Sequence, residues 1–230
     1  MPSFPTTTSY AVLGLLSVRS WTTYELAKQV QRSLNWFWPR AERKLYDEPK
    51  QLAEHGYAVA TERFTGKRRS REYTITDEGR AALAGWLEQP AAPRTAEFEG
   101  MVKVFFADGG DLPSLRATLA QIVTEAEERA SALGAFAAAP LTFAERAHIS
   151  ALTLTLGLEQ ELAILRWGRW AVAEVDSWTD TRGPGDWDAG EVLRSLARRA
   201  LDEVAGSPGQ ERGAASSRTE HPVRSGSSGS

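Results

Sequence analysis

The sequence predicts a mainly α chain carrying one β-hairpin, built in two parts. Three observations carry that expectation. Between Trp36 and Thr76 a basic helical stretch leads directly into two alternating stretches joined by a basic turn. Two further helical patterns precede it and one follows it. Beyond Pro93 the apolar residues keep helical spacing and no alternating stretch returns. Helix, helix, helix, strand, strand, helix is the order of a winged helix-turn-helix, here followed by an all-helical part.

The first helix runs to about Ser17, capped by Ser9 or one of the threonines before it. Ala11, Val12, Leu13, Leu15, Leu16 and Val18 leave it apolar on nearly every side, so it should be buried. Thr22 or Thr23 caps the second, with Glu25 near its positive end. Leu26, Ala27, Val30 and Leu34 form its apolar face. Asn35 to Trp38 break it, and Pro39 suits the first turn of the third. There Leu45, Leu52 and Ala53 take one side. Arg40, Arg43, Lys44, Asp47 and Gln51 take the other. Pro49 predicts a kink or a tightened turn, and Gly56 the left-handed stop. Tyr57–Phe64 alternates as a strand, Thr65–Arg71 reads as a basic turn, and Glu72–Thr76 as the return strand. Thr76 then caps a helix to about Glu88.

Residues 1–89 therefore form one expected domain and residues 90–96 a Pro-Ala-Ala-Pro linker. Residues 97–205 form a helical domain. Phe98–Ala107 makes a short helix stopped by Asp-Gly-Gly-Asp at 108–111, and Pro113 opens a long one. Phe143 to about Trp178 reads as a single helix of unusual length, apolar on several sides. One chain has trouble burying all those sides, so a second subunit is expected. Asp186 should cap a last helix, Trp187–Val204. Residues 206–230 hold hardly an apolar side chain and read as disordered.

The formal net charge is −3, but it is unevenly spread. Residues 1–90 hold 13 basic and 10 acidic side chains, residues 91–230 hold 14 and 20. A polyanion partner would therefore meet the first part. The absence of cysteine excludes disulfides, thiolate metal sites and Cys nucleophiles, and fits the cytoplasm. The apolar run Tyr10–Val18 is too short to span a membrane. No two histidines have metal-ligand spacing, and no phosphate loop or nucleophile elbow is present. Neither an enzyme nor a cofactor is expected.

Arg40, Arg43 and Lys44 on a helix would by themselves read as a solvated face. Followed by a wing with Lys67, Arg68, Arg69 and Arg71 they read as a DNA contact. Arginine suits a guanine edge, because it can donate two bonds to O6 and N7. Lys50 suits a phosphate. His55, at a helix C-terminus, reads as a cap. Trp167 and Trp170 flank Gly168, and Gly157 lies three turns earlier. Close helix packing is the plain reading of these glycines.

In order and spacing, these residues resemble the PadR family of bacterial transcription regulators. The resemblance rests on Ala-Val-Leu-Gly-Leu-Leu at 11–16, Tyr24-Glu25-Leu26, Phe37-Trp38, Leu45-Tyr46, Leu52, Gly56, Arg71, Tyr73, Thr76 and Gly79. Pro49 and the segment 39–44 depart from the family pattern. The resemblance implies that Tyr24 and Tyr46 belong to the DNA-binding set and that the helical part dimerises. It implies an operator-binding repressor and a homodimer, with recognition helices in two successive major grooves and wings on flanking phosphates. An aromatic small-molecule effector, lined by Trp167 and Trp170, would release the DNA. The rival readings are control by a protein partner and an enzyme in the helical domain.

Overall fold

The computed structural model describes residues 4–38, 42–65, 68–95, 97–140 and 142–206; for 42–44, 65 and 68 the description is of the backbone alone. Helix α1 spans Thr7–Val18. Thr6 is its cap, and the hydroxyls of Thr6 and Ser9 satisfy each other's backbone N–H groups. Val12, Leu13 and Leu16 are buried at the centre of the first core. Helix α2, Thr23–Ser33, is capped by Thr22, whose own N–H donates to the Glu25 carboxylate at 2.8 Å.

Between α1 and α2 lies a strand the sequence did not announce, β1, Trp21–Thr22. Two residues carry no alternation to detect. The strand exists because β3 offers it an edge, with Trp21 opposite Tyr73. Helix α3, Glu42–Glu54, continues through Pro49. Its end is a complete left-handed cap. Tyr57 N–H donates to Leu52 O at 2.9 Å, Gly56 N–H to Ala53 O at 3.2 Å, and Gly56 has φ +80°.

Strands β2, Ala58–Thr65, and β3, Arg68–Ile75, pair antiparallel from Ala58↔Ile75 out to Thr65↔Arg68. The sheet order is β1-β3-β2. This corrects the expected basic turn. Arg68, Arg69 and Arg71 stand in the return strand, because the ladder holds until two residues remain between the strands. Thr76 caps α4, Asp77–Leu87, and its hydroxyl also donates to Gly56 O at 2.7 Å. A Cβ on Gly79 would lie 2.1 Å from Tyr57 O, so only glycine fits where α4 crosses the start of β2.

The remainder is helical. Helix α5 is Glu99–Phe105, followed by a 3-10 turn at Ala107–Gly109. Asp111 caps α6, Leu112–Ala138, as its carboxylate accepts from Ser114 N–H at 2.8 Å. A 3-10 turn at Ala144–Arg146 leads into α7, Ala147–Asp176. Helices α6 and α7 bury Leu115, Leu119, Ala171 and Val175 between them. The last helix, α8, is Ala189–Ala205. Its cap is Asp188 rather than Asp186, because the Asp188 carboxylate is the one that reaches Glu191 N–H, at 2.9 Å. The expected disorder of the tail concerns residues 207–230, which lie outside the described residues.

Candidate nucleic-acid interface

The candidate interface is built on the buried face of α3. Leu45 packs with Ala27 and Val30 of α2, and Leu52 joins the core of α1. Glu48 and Pro49 are also buried. Proline at that place removes an N–H and fills the core with its ring, while Glu48 accepts a hydrogen bond from the buried Ser9 hydroxyl. With 45, 48, 49 and 52 turned inward, Tyr46, Asp47, Lys50 and Gln51 face outward.

Of the expected DNA-contact residues, Arg40 and Lys67 lie outside the described residues. The backbones of Arg43 and Lys44 occupy the first turn of α3, and that of Arg68 begins β3. Tyr46 and Lys50 are exposed, and the Lys50 ammonium lies 3.5 Å from Glu54 one turn on. Tyr24, on the outer side of α2, is 60% exposed, with the Lys28 ammonium 5.7 Å from its ring centre. Arg69 pairs with Glu62 across the hairpin. Arg71 and Lys50 line one open cavity of about 260 Å³ between α3 and the sheet, with Ala53, Glu54, Ala60 and Tyr73. The helix and the wing thus present cations to the same cleft.

Two further cations border this surface that the sequence reading did not count as DNA contacts. Lys28 lies one helical turn from Tyr24, a spacing that could have flagged it. Arg63 on β2 is 2.9 Å from Glu72 and mostly exposed. Its place in the alternation of the strand was the available signal. Each of Lys50, Arg63 and Arg69 has a carboxylate partner, so a phosphate would have to compete for it. His55 behaves as a cap, its Nδ1 2.8 Å from Gln51 O.

In the helical part, Gly168 packs closely against α6. A Cβ there would lie 2.8 Å from Val123 Cγ2 of α6. At Gly157 the nearest atom would be Leu133 Cδ2 at 3.6 Å. Trp167 packs on the α6–α7 core, whereas Trp170 is 42% exposed. They line neither the cleft between α3 and the sheet nor an open cavity of about 370 Å³ between α5 and α6, around Phe106, Asp111 and Thr118. Among the described residues no three His, Asp or Glu side chains gather to hold a metal. No described helix is long and apolar enough to cross a membrane.

Residues 12–85, the helix–helix–helix–hairpin–helix unit, match the transcriptional regulator PadR-like family. The chain carries a PadR-like domain. Residues 99–176 match a second model, the virulence activator alpha C-terminal domain, and so supply the helical part of the longer members. The negative transcriptional regulator PadR of Bacillus subtilis (strain 168) is 28% identical over 181 residues, covering 73% of this chain and 96% of that protein. The crystal structure of Bacillus subtilis PadR in complex with operator DNA has the same fold. Its TM-score is 0.66 at 24% identity, over 74% of this chain and 99% of that one. Bacillus subtilis PadR in complex with p-coumaric acid matches at TM-score 0.59 and 26% identity, over 74% and 99%. Like those PadR-like chains, this one pairs a winged reading unit with long helices, and α8 lies beyond the matched segments.

Proposed function

We propose that this PadR-like chain is an operator-binding transcriptional repressor released by a small-molecule effector. The observation that carries the reading is the outward face of α3 beside the wing, where Lys50 and Arg71 share one cleft. Likeness to a negative regulator over most of the chain supports it. Residues 1–89 read DNA and residues 97–205 dimerise. Arg40, Arg43, Lys44 and Tyr46 face base edges and adjoining phosphates, and Tyr24, Lys50, Lys67, Arg68, Arg69 and Arg71 grip phosphates. Lys28 and Arg63 join the second group.

The homodimer rests on apolar side chains that one chain leaves in water. Ile149, Leu152 and Leu156 on α7 and Phe105 and Phe106 on α5 are all exposed. The effector is an aromatic acid, by analogy with the p-coumaric acid held by Bacillus subtilis PadR. It acts by biasing the separation of the two recognition helices. Such a protein works in the cytoplasm, and catalysis has no part in the reading.

The test is a duplex selected by the protein from a random pool, titrated against a scrambled control at several salt concentrations. Arg43→Ala should cost about 1–3 kcal/mol on the selected duplex and much less on the scrambled one. Replacing Arg69 and Arg71 by Ala should weaken both duplexes and lower the salt slope by about 0.9 for each phosphate that is no longer neutralised. Equal behaviour of wild type on both duplexes would overturn the reading.

A further inference from the structure

Trp36, in the segment Leu34–Trp38 that leads from α2 toward the recognition helix, is met by a side chain from outside the winged unit. Arg129 of α6 places its guanidinium carbon 5.9 Å from the ring centre of Trp36. In the opposite direction, Arg32 near the end of α2 places its guanidinium carbon 5.3 Å from the ring of Phe136, two turns further along α6. The two contacts are reciprocal: each element gives one cation and receives one on an aromatic face. Arg129 is itself fixed, because its Nε donates at 2.6 Å to Glu161 of α7, whose side chain is buried. Glu161 in turn stands on the helix whose outer side carries the exposed apolar residues Ile149, Leu152 and Leu156. The indole N–H of Trp36 is buried without a hydrogen-bond partner, so no hydrogen bond to that indole N–H orients its ring. The face of that ring lies toward the Arg129 guanidinium.

We infer that Arg32, Trp36, Arg129 and Phe136 form a positioning clasp that sets where the recognition helix stands relative to the α6–α7 pair. The clasp rests on the reading of the chain as a dimeric operator binder. A dimer presents its two recognition helices at one separation only if each reading unit is locked to its own dimerising helices. Arg129 and Glu161 carry the position of α7 to Trp36, and Trp36 opens the connection that continues into α3. Their role is to act through the helix they orient.

The experiment uses the full chain and a duplex selected from a random pool by wild type, with the spacer between its half-sites lengthened or shortened by one or two base pairs. Arg32→Gln and Phe136→Leu remove the outer contact without stranding the buried Glu161 carboxylate. Arg129→Lys keeps a cation beside Glu161 but removes the planar face over Trp36. Wild type should fall steeply in affinity away from its best spacing. The variants should bind the best spacing about three- to tenfold more weakly, the size of one or two ring–cation contacts. They should also lose most of the spacing preference while keeping the wild-type mass and affinity for a single half-site. A purely structural role would lower affinity at every spacing alike. Variants that keep the wild-type spacing profile overturn the clasp alone. A wild type that selects no duplex removes the operator-binding reading and the clasp with it.

Discussion

Ser9 donates its hydroxyl to the carboxylate of Glu48, across the contact between α1 and α3. Both are buried, so the bond is made where water cannot replace it. The same hydroxyl oxygen accepts from Thr6 N–H, which makes Ser9 part of the α1 cap and of the α1–α3 contact at once. Ser9→Ala should therefore lose about 1–3 kcal/mol of stability, because a buried carboxylate is left without its donor. Glu48→Gln keeps an acceptor and should lose less. Urea unfolding measures both, and a Ser9→Ala variant indistinguishable from wild type would rule out the tether.

Acid should weaken the α2 cap. The Glu25 carboxyl is held below its ordinary 4.5, first by the backbone N–H of Thr22. Partial burial opposes this, and the Thr22 hydroxyl and the Arg19 guanidinium add to the lowering. The folded chain thus binds this proton less readily than the unfolded one. The contribution is complete above the ordinary value and disappears as the pH falls through the lower folded-state value. Glu25→Gln should be less stable than wild type at neutral pH, and the difference should shrink below pH 4.5. Thermal unfolding across that range checks it, and a difference that grows on acidification would contradict the cap.

The two interior glycines of α7 should respond with opposite sign. Gly157→Ala has room, with Leu133 at 3.6 Å, and should gain about 0.5–1 kcal/mol from reduced freedom of the unfolded chain. Gly168→Ala would press on Val123, a stiff β-branched side chain 2.8 Å away. Overpacking costs about 1–3 kcal/mol, which exceeds the gain in helix propensity. Denaturant midpoints of the two variants decide the matter; equal shifts would show that α6 yields at Val123.

Charge on the outer side of α7 should separate the subunits. Leu152 and Leu156 are exposed one turn apart. Replacing both by Glu should leave the helices formed and reduce the sedimenting mass from about twice 25.2 kDa to about 25.2 kDa. Selected-duplex affinity should fall with it, since one reading unit makes half the contacts. A double variant that keeps the wild-type mass would move the dimer contact away from α7.

The sequence by itself determined the order of the elements and most of their ends, because those ends are local. Thr22 with Glu25, Gly56 and Thr76 cap helices through groups only a few residues away, and spacing alone reveals them. It also determined the PadR-like resemblance, which is a matter of ordered short matches. Only the tertiary structure decided what depends on distant partners. β1 needed the free edge of β3, Asp188 rather than Asp186 needed a reachable N–H, and the wing arginines joined the strand because the ladder extends to Arg68. Nothing in the spacing singled out Glu48 until Ser9, 39 residues earlier, was brought against it. Arg129 and Trp36 lie far apart in the chain, and no periodicity couples them. Hydrophobic period and capping act within a few residues, whereas ion pairs, edges and aromatic faces meet only after the chain has closed on itself.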